Sequence, residues 1–142
     1  MQKLPILLVI LLLAISSPSF AQNNTKQPTV TVMLGNMMPT FTADGKKAPY
    51  RKVTRAEILA NPQLMTAAPP CDITEFTLSI LPKGKDFRGP YTVKGAWLSP
   101  DIIKMLEEVE EGDCKIFIEN IKVNCGNQLM NGNSILLTMT TK

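Results

Sequence analysis

Histidine is absent from all 142 residues of this sequence. Its absence excludes Ser-His-Asp and Cys-His catalysis, histidine general bases, and the imidazole-ligated sites that most zinc enzymes use. Carboxylate pairs, lysine-dependent catalysis and cysteine chemistry are not excluded by this observation, so each class has to be judged on the residues that are present.

Cysteine is scarce, and its three positions are poorly spaced for metal binding. Cys71, Cys114 and Cys125 form no C-x-x-C pair. Cys114 and Cys125 are the first and last residues of a segment that alternates like a β-strand. Since an extended chain rises ~3.3 Å per residue, the two cysteines would be about 30 Å apart. A disulfide needs Cα atoms within about 7 Å. We therefore predict that these two cysteines form neither a disulfide nor a metal site.

A disulfide would then have to involve Cys71, which precedes the strand pattern that begins near Phe76. If that strand and the strand starting at Cys114 run parallel, Cys71 and Cys114 lie near two strand starts. We predict a Cys71–Cys114 disulfide, with three reduced cysteines as the alternative, and a free thiol at Cys125. A catalytic Cys125 would need a nearby base or positive charge to form a thiolate, and the sequence offers none.

Long apolar runs are missing except near the N terminus. Residues 1–21 contain one lysine, an apolar run and then small residues up to Ala21, which is the order of a secretory signal peptide. The run is much shorter than the ~20 apolar residues that span a bilayer, so we expect cleavage after Ala21 rather than an uncleaved membrane anchor. The expected product has a flexible tail at 22–28, a single domain at 29–142 and no membrane span. We expect it to be periplasmic or secreted.

The charge balance is nearly even, with 15 basic and 12 acidic residues. This excess is too small for a nucleic-acid-binding protein, which concentrates Lys and Arg. The basic residues form one cluster, which we interpret as a solvated loop and helix start, with a contact patch for an acidic partner as the alternative. The cluster comprises Lys46, Lys47, Arg51, Lys52 and Arg55.

Several short segments alternate between apolar and polar residues, as half-buried β-strands do. In the segment 114–125 the apolar positions change parity after Ile118, which predicts a β-bulge near Glu119-Asn120. The single tryptophan, Trp97, is expected to anchor the core. Strands are predicted at residues 29–35, 73–80, 91–97, 114–125 and 134–142, and loops at 36–52 and 126–133.

Two helices are predicted between the strands. Thr54 and Glu57 form a capping box that starts a short helix, and Pro62 ends it. A longer helix is predicted at 99–112, with Ser99 as its N-cap. Paired-carboxylate catalysis needs carboxylates that converge across a cleft, whereas the acidic residues here follow one helix end and are expected to face solvent. These residues are Glu107, Glu108, Glu110 and Glu111.

In order and spacing, these elements resemble the C-terminal domain of GldM (PorM), a periplasmic protein of Bacteroidetes gliding motility and type IX secretion. The resemblance covers roughly residues 29–141. It is carried by "TRAEILANPQL" at 54–64, "ITEFTLSI" at 73–80, "LSPDIIKMLEEVEEGDCKIFIENIKV" at 98–123 and "SILLTM" at 134–139.

The resemblance implies a mainly β, immunoglobulin-like β-sandwich with one short and one longer inserted helix, and no catalytic residues or cofactors. It also implies a surface that binds protein partners, such as outer-membrane-associated secretion or ring components. The chain differs from the family in carrying a predicted signal peptide instead of a membrane anchor and shaft, and in lacking the Gly-Pro-Asp-Gly turn before the last strand.

We therefore expect a non-catalytic periplasmic interaction module. The alternative is a secreted inhibitor or ligand-binding β-sandwich that acts through the loops 36–52 and 126–133.

Overall fold

The computed structural model describes residues 29–37, 51–67, 71–110 and 112–141. This part of the chain is mainly β, as predicted, and carries two short helices. The elements are β1 Thr29–Val30, β2 Val32–Leu34, β3 Arg51–Thr54, α1 Arg55–Ala60, β4 Leu64–Thr66, β5 Cys71–Pro82, β6 Arg88–Lys94, α2 Pro100–Glu107, β7 Cys114–Cys125, β8 Gln128–Gly132 and β9 Ile135–Thr140. The predicted signal peptide and tail lie outside the described residues.

Strand β7 organises the larger of two sheets. It pairs with β5 along one edge, and on its other edge with β9 in its first half and β8 in its second. Strand β6 extends the sheet beyond β5, while β1 pairs with β8 and β3 pairs with β9, both in parallel. The result is a strongly curled, seven-stranded mixed sheet resembling half of a barrel.

A small second sheet and both helices contribute to the same core as the larger sheet. Strands β2 and β4 pair antiparallel and bury one side, while α1 buries Ile58 and α2 buries Ile102 and Leu106. Burial of this apolar surface is the main source of the fold's stability. The largest fully buried side chains are Phe76, Leu34, Ile58, Leu64, Leu78, Ile80, Leu106, Ile116, Ile118, Ile121, Leu137 and Met139.

The predicted β-bulge is confirmed, and it has a counterpart in the neighbouring strand. Between the pairs Thr77–Glu119 and Glu75–Lys122, β7 contains one more residue than β5, and Asn120 adopts a φ of 50°. One step further along, β5 contains the extra residue. Both strands therefore switch parity together, and both keep their apolar residues on the inner face.

Both helix starts agree with the sequence. Thr54 and Glu57 form the complete capping box of α1. The Ser99 side chain accepts from the backbone N–H of Ile102 at the start of α2. Helix α2 ends at Glu107 instead of continuing to 112, because a run of glutamates is unfavourable at the negative end of a helix dipole.

Three of the predicted element positions need correction. The segment 29–35 does not form one strand, because the chain leaves the large sheet after β1 and joins the small sheet as β2. The expected loop at 126–133 is mostly strand, since Gly126 and Asn127 form a tight turn between β7 and β8. Gly126 adopts a φ of 67°, which suits such a turn. The strand predicted at 91–97 is shifted to Arg88–Lys94.

Candidate interaction surfaces

The predicted Cys71–Cys114 disulfide is wrong, and the structure joins Cys71 to Cys125. The prediction assumed that the two strands run parallel, but β5 and β7 are antiparallel neighbours over their whole length. The start of β5 therefore lies beside the end of β7. Cys71 and Cys125 are direct cross-strand partners with Cα atoms 4.3 Å apart, close enough for a disulfide.

Cys114, rather than Cys125, carries the free thiol. Its side chain points into the core and is fully buried. Burial raises the pKa of the Cys114 thiol, since it disfavours the thiolate. Neither a reactive Cys125 nor an accessible thiol is present, so the arrangement does not favour cysteine chemistry.

The apolar face of the small sheet is the first candidate interaction surface. Met33 and Met65 are direct cross-strand partners in β2 and β4. The segment around Trp97 lies beside the start of β4, where Gln63 and Trp97 form an isolated antiparallel bridge flanked by two backbone hydrogen bonds of 2.7 and 2.8 Å. Cross-strand partners share a face, so Met33, Met65, Gln63 and Trp97 lie together. We call this set the ribbon face.

The ribbon face corrects the expectation that Trp97 anchors the core. Trp97 is 57% exposed and Met65 is 43% exposed, whereas their strand neighbours Leu64 and Leu98 are buried. Strand alternation directs Leu64 inward and Met65 outward. A depression of about 310 Å³ includes Met65 and reaches Cys71 of the disulfide. Large apolar side chains grouped on a surface are typical of interaction sites.

Asn133 attaches β2 of the small sheet to the segment before β9 of the large sheet. Its side-chain oxygen accepts from the Val32 backbone N–H at 2.6 Å, and its side-chain nitrogen donates to the Val32 carbonyl at 3.2 Å. The Asn133 side-chain amide thus makes the two backbone hydrogen bonds that a neighbouring strand would make to Val32, at the point where β1 ends and β2 begins. The sequence analysis assigned this asparagine to a loop, because its role depends on a residue 101 positions away.

The three described members of the predicted basic cluster have different surroundings. The Arg55 guanidinium donates to the backbone carbonyl of Val109 and so ties α1 to the segment after α2. Arg51 is half-buried in β3, while Lys52 points to solvent. Lys46 and Lys47 lie outside the described residues. Lys52 instead lines a cavity with Lys83, Lys85 and Lys115, which the sequence analysis did not connect with it.

The described glutamates at the end of α2 face solvent, as predicted. Glu107, Glu108 and Glu110 are exposed, and Glu111 lies outside the described side chains. Among residues 29–37, 51–67, 71–110 and 112–141, no three Cys, Asp or Glu side chains converge in a way that could hold a metal ion.

Within the described part of the chain, neither helix has the length and apolar character needed to cross a bilayer. A structural disulfide is typical of oxidising compartments outside the cytosol, which agrees with the export predicted from residues 1–21. No protein-family profile matches the chain, and no curated protein sequence matches it significantly.

Proposed function

We propose that this chain is a non-catalytic protein-interaction module of the bacterial cell envelope, which acts beside gliding-motility or type IX secretion machinery. The ribbon face is the observation that supports binding. The resemblance to the GldM C-terminal domain supports the choice of machinery. The disulfide supports a location outside the cytosol, in the periplasm or beyond the cell.

We include in this proposal that the fold is an immunoglobulin-like β-sandwich. The shared core between the small and large sheets supports it. The parallel pairs β1–β8 and β3–β9 depart from the antiparallel sheets of that fold.

The composition of the ribbon face favours a protein partner. Tryptophan is among the residues most enriched at the energetic centres of protein interfaces. Methionine is also enriched at interface cores, and its flexible side chain adapts to different partner shapes. On the ribbon face, Trp97 lies diagonally across from Met65, close enough for the two side chains to form one contact area.

Affinity capture from a detergent-solubilised envelope fraction tests this proposal. The unaltered protein is expected to recover the same outer-membrane-associated secretion or ring component in repeated experiments. The double variant Trp97→Ala/Met65→Ala is expected to weaken that interaction by about 30-fold or more, since a central interface tryptophan typically contributes at least about 2 kcal/mol.

Phe87→Ala is the matched control for capture. Phe87 is also an exposed aromatic residue, 53% accessible, but it lies beyond the far end of β5. It should leave capture unchanged. Equal losses in both variants, or a partner retained at full strength by the ribbon variant, would contradict the proposed surface.

Cell fractionation separates the proposal from the alternative of a secreted inhibitor or ligand-binding protein. An envelope-associated module is expected in the periplasmic fraction together with its partner. Recovery of the protein in the culture medium alone would favour the secreted alternative.

A further inference from the structure

A row of four side chains crosses the outer face of the large sheet at one level. Lys52 in β3 is the register partner of Thr138 in β9, Thr138 is the partner of Lys115 in β7, and Lys115 is the partner of Leu81 in β5. Adjacent strands are spaced about 4.8 Å apart, so two lysines stand on either side of one threonine. All four side chains line the same cavity.

The turn after β5 closes one side of this cavity. Lys83, Gly84 and Lys85 line it, and the Lys83 backbone N–H donates to the Asp113 carbonyl at 2.9 Å. That hydrogen bond joins the turn to the segment that leads into β7. The cavity walls are therefore formed by parts of the chain that lie far apart in sequence.

The cavity combines a basic rim with an apolar floor. Its lining contains four lysines and one acidic residue, Asp113. Lys85 is also ion-paired with Glu110 at 3.3 Å, outside this lining. The positive charge on which the proposal depends is that of Lys52 and Lys83. Leu81 and Pro82 supply the apolar part of the lining, which we call the floor.

We propose that this cavity, the basic cleft, binds an organic anion that carries a phosphate or carboxylate head on an apolar chain. Lys52 and Lys83 would hold the head as point charges, and the floor would cover the chain. Burying the chain adds a favourable free energy that an inorganic anion cannot obtain. The cavity volume of about 480 Å³ lies within the range of small-molecule sites.

Titration of the folded protein with octyl phosphate, followed by NMR, tests the basic cleft. Saturable shifts are expected in the backbone amides of residues 81, 83–85, 113–115 and 138. Octanol, which lacks the charge, and inorganic phosphate, which lacks the chain, are expected to bind more weakly. Shifts centred elsewhere, or no saturable binding, would overturn the proposal.

The double variant Lys52→Gln/Lys83→Gln removes charge from two sides of the basic cleft. It is expected to weaken octyl phosphate binding about five- to tenfold, the effect of losing two solvent-exposed ion pairs. Lys94→Gln/Lys104→Gln is the matched control, because it removes two exposed lysines that do not line the cleft. Equal losses in the two variants would show a general charge effect and refute the site.

Vesicles distinguish the two sources of such an anion. Phosphatidylcholine vesicles with and without phosphatidylglycerol are compared in co-sedimentation. Binding that requires phosphatidylglycerol, Lys52 and Lys83 assigns the site to a lipid headgroup. Octyl phosphate binding without vesicle binding assigns it to a free amphiphile. Both results support the basic cleft, and neither depends on the ribbon face.

Discussion

Among single residues, Asn133 and Glu57 show how side chains replace backbone partners. Asn133 satisfies both polar groups of Val32, a residue with no exposed surface. Glu57 accepts hydrogen bonds from the backbone N–H and the hydroxyl of Thr54, at 2.6 and 2.9 Å. In both cases a polar side chain provides hydrogen bonds where regular secondary structure ends.

Asn133→Ala is expected to destabilise the protein by about 1–3 kcal/mol, because it leaves the buried N–H and C=O of Val32 without these partners. Urea unfolding followed by circular dichroism measures this change. Asn124→Ala, at an exposed position of β7, is the control and should change stability by less than about 0.5 kcal/mol. Equal effects of both variants would show that the Val32 contacts contribute nothing specific.

The capping box of α1 predicts a pH dependence. The Thr54 N–H, followed by the Thr54 hydroxyl, holds the pKa of Glu57 below its usual value of 4.5. Since the native pKa is lowered, the stabilisation by this carboxylate is fully present above pH 4.5 and is lost as the pH falls through the native pKa. Thr54→Ala should raise the Glu57 pKa toward its usual value, as measured by NMR titration of the carboxyl group. The variant keeps the Thr54 backbone N–H, so an unchanged titration would show that the Thr54 hydroxyl does not contribute to this pKa.

Between elements, the pairing of β5 with β7 determines the cysteine chemistry. Antiparallel alignment places the first residue of β5 beside the last residue of β7 and connects them as a disulfide. Paired bulges midway along the two strands keep their inner faces aligned. The same alignment directs Cys114 into the core at the opposite end.

The disulfide predicts a thiol count and a loss of stability. Denatured, unreduced protein should expose one reactive thiol, from Cys114, and reduced protein should expose three. The variant Cys71→Ser/Cys125→Ser should lose about 2–4 kcal/mol of unfolding free energy, because the bond closes a loop between residues 54 positions apart. Cys114→Ser is the control for the thiol count and should abolish the single reactive thiol. Three thiols without reductant would rule out the bond.

For the molecule as a whole, the curled sheet carries different chemistry on different surfaces. The small sheet and the helices share the core of the large sheet, and the small sheet presents the ribbon face to solvent. The outer face of the large sheet carries the basic cleft. The edge strand β6 contains Pro90 between Arg88 and Lys94, residue types that discourage pairing with another chain. Because the ribbon face lies on the small sheet and the basic cleft on the large sheet, the two proposed binding surfaces can be tested separately.

Much of the local structure followed from short-range patterns. The capping residues started both helices at the predicted positions, and strand alternation identified the inner faces of β5, β7 and β9. The parity change near Glu119 identified the bulge. These features depend on hydrogen bonds and side-chain periodicity within a few residues, which is why the order of amino acids alone is sufficient to predict them.

Strand partners and their directions required the folded molecule, because pairing joins segments that are distant in the chain. The same alternating pattern suits parallel and antiparallel neighbours, so it led to the wrong partner for Cys71. The exposure of Trp97 and the role of Asn133 likewise depend on the small sheet. Lys52 and Lys115 lie close together because of the register of β3, β9 and β7, and the turn after β5 adds Lys83. Local periodicity does not encode this arrangement.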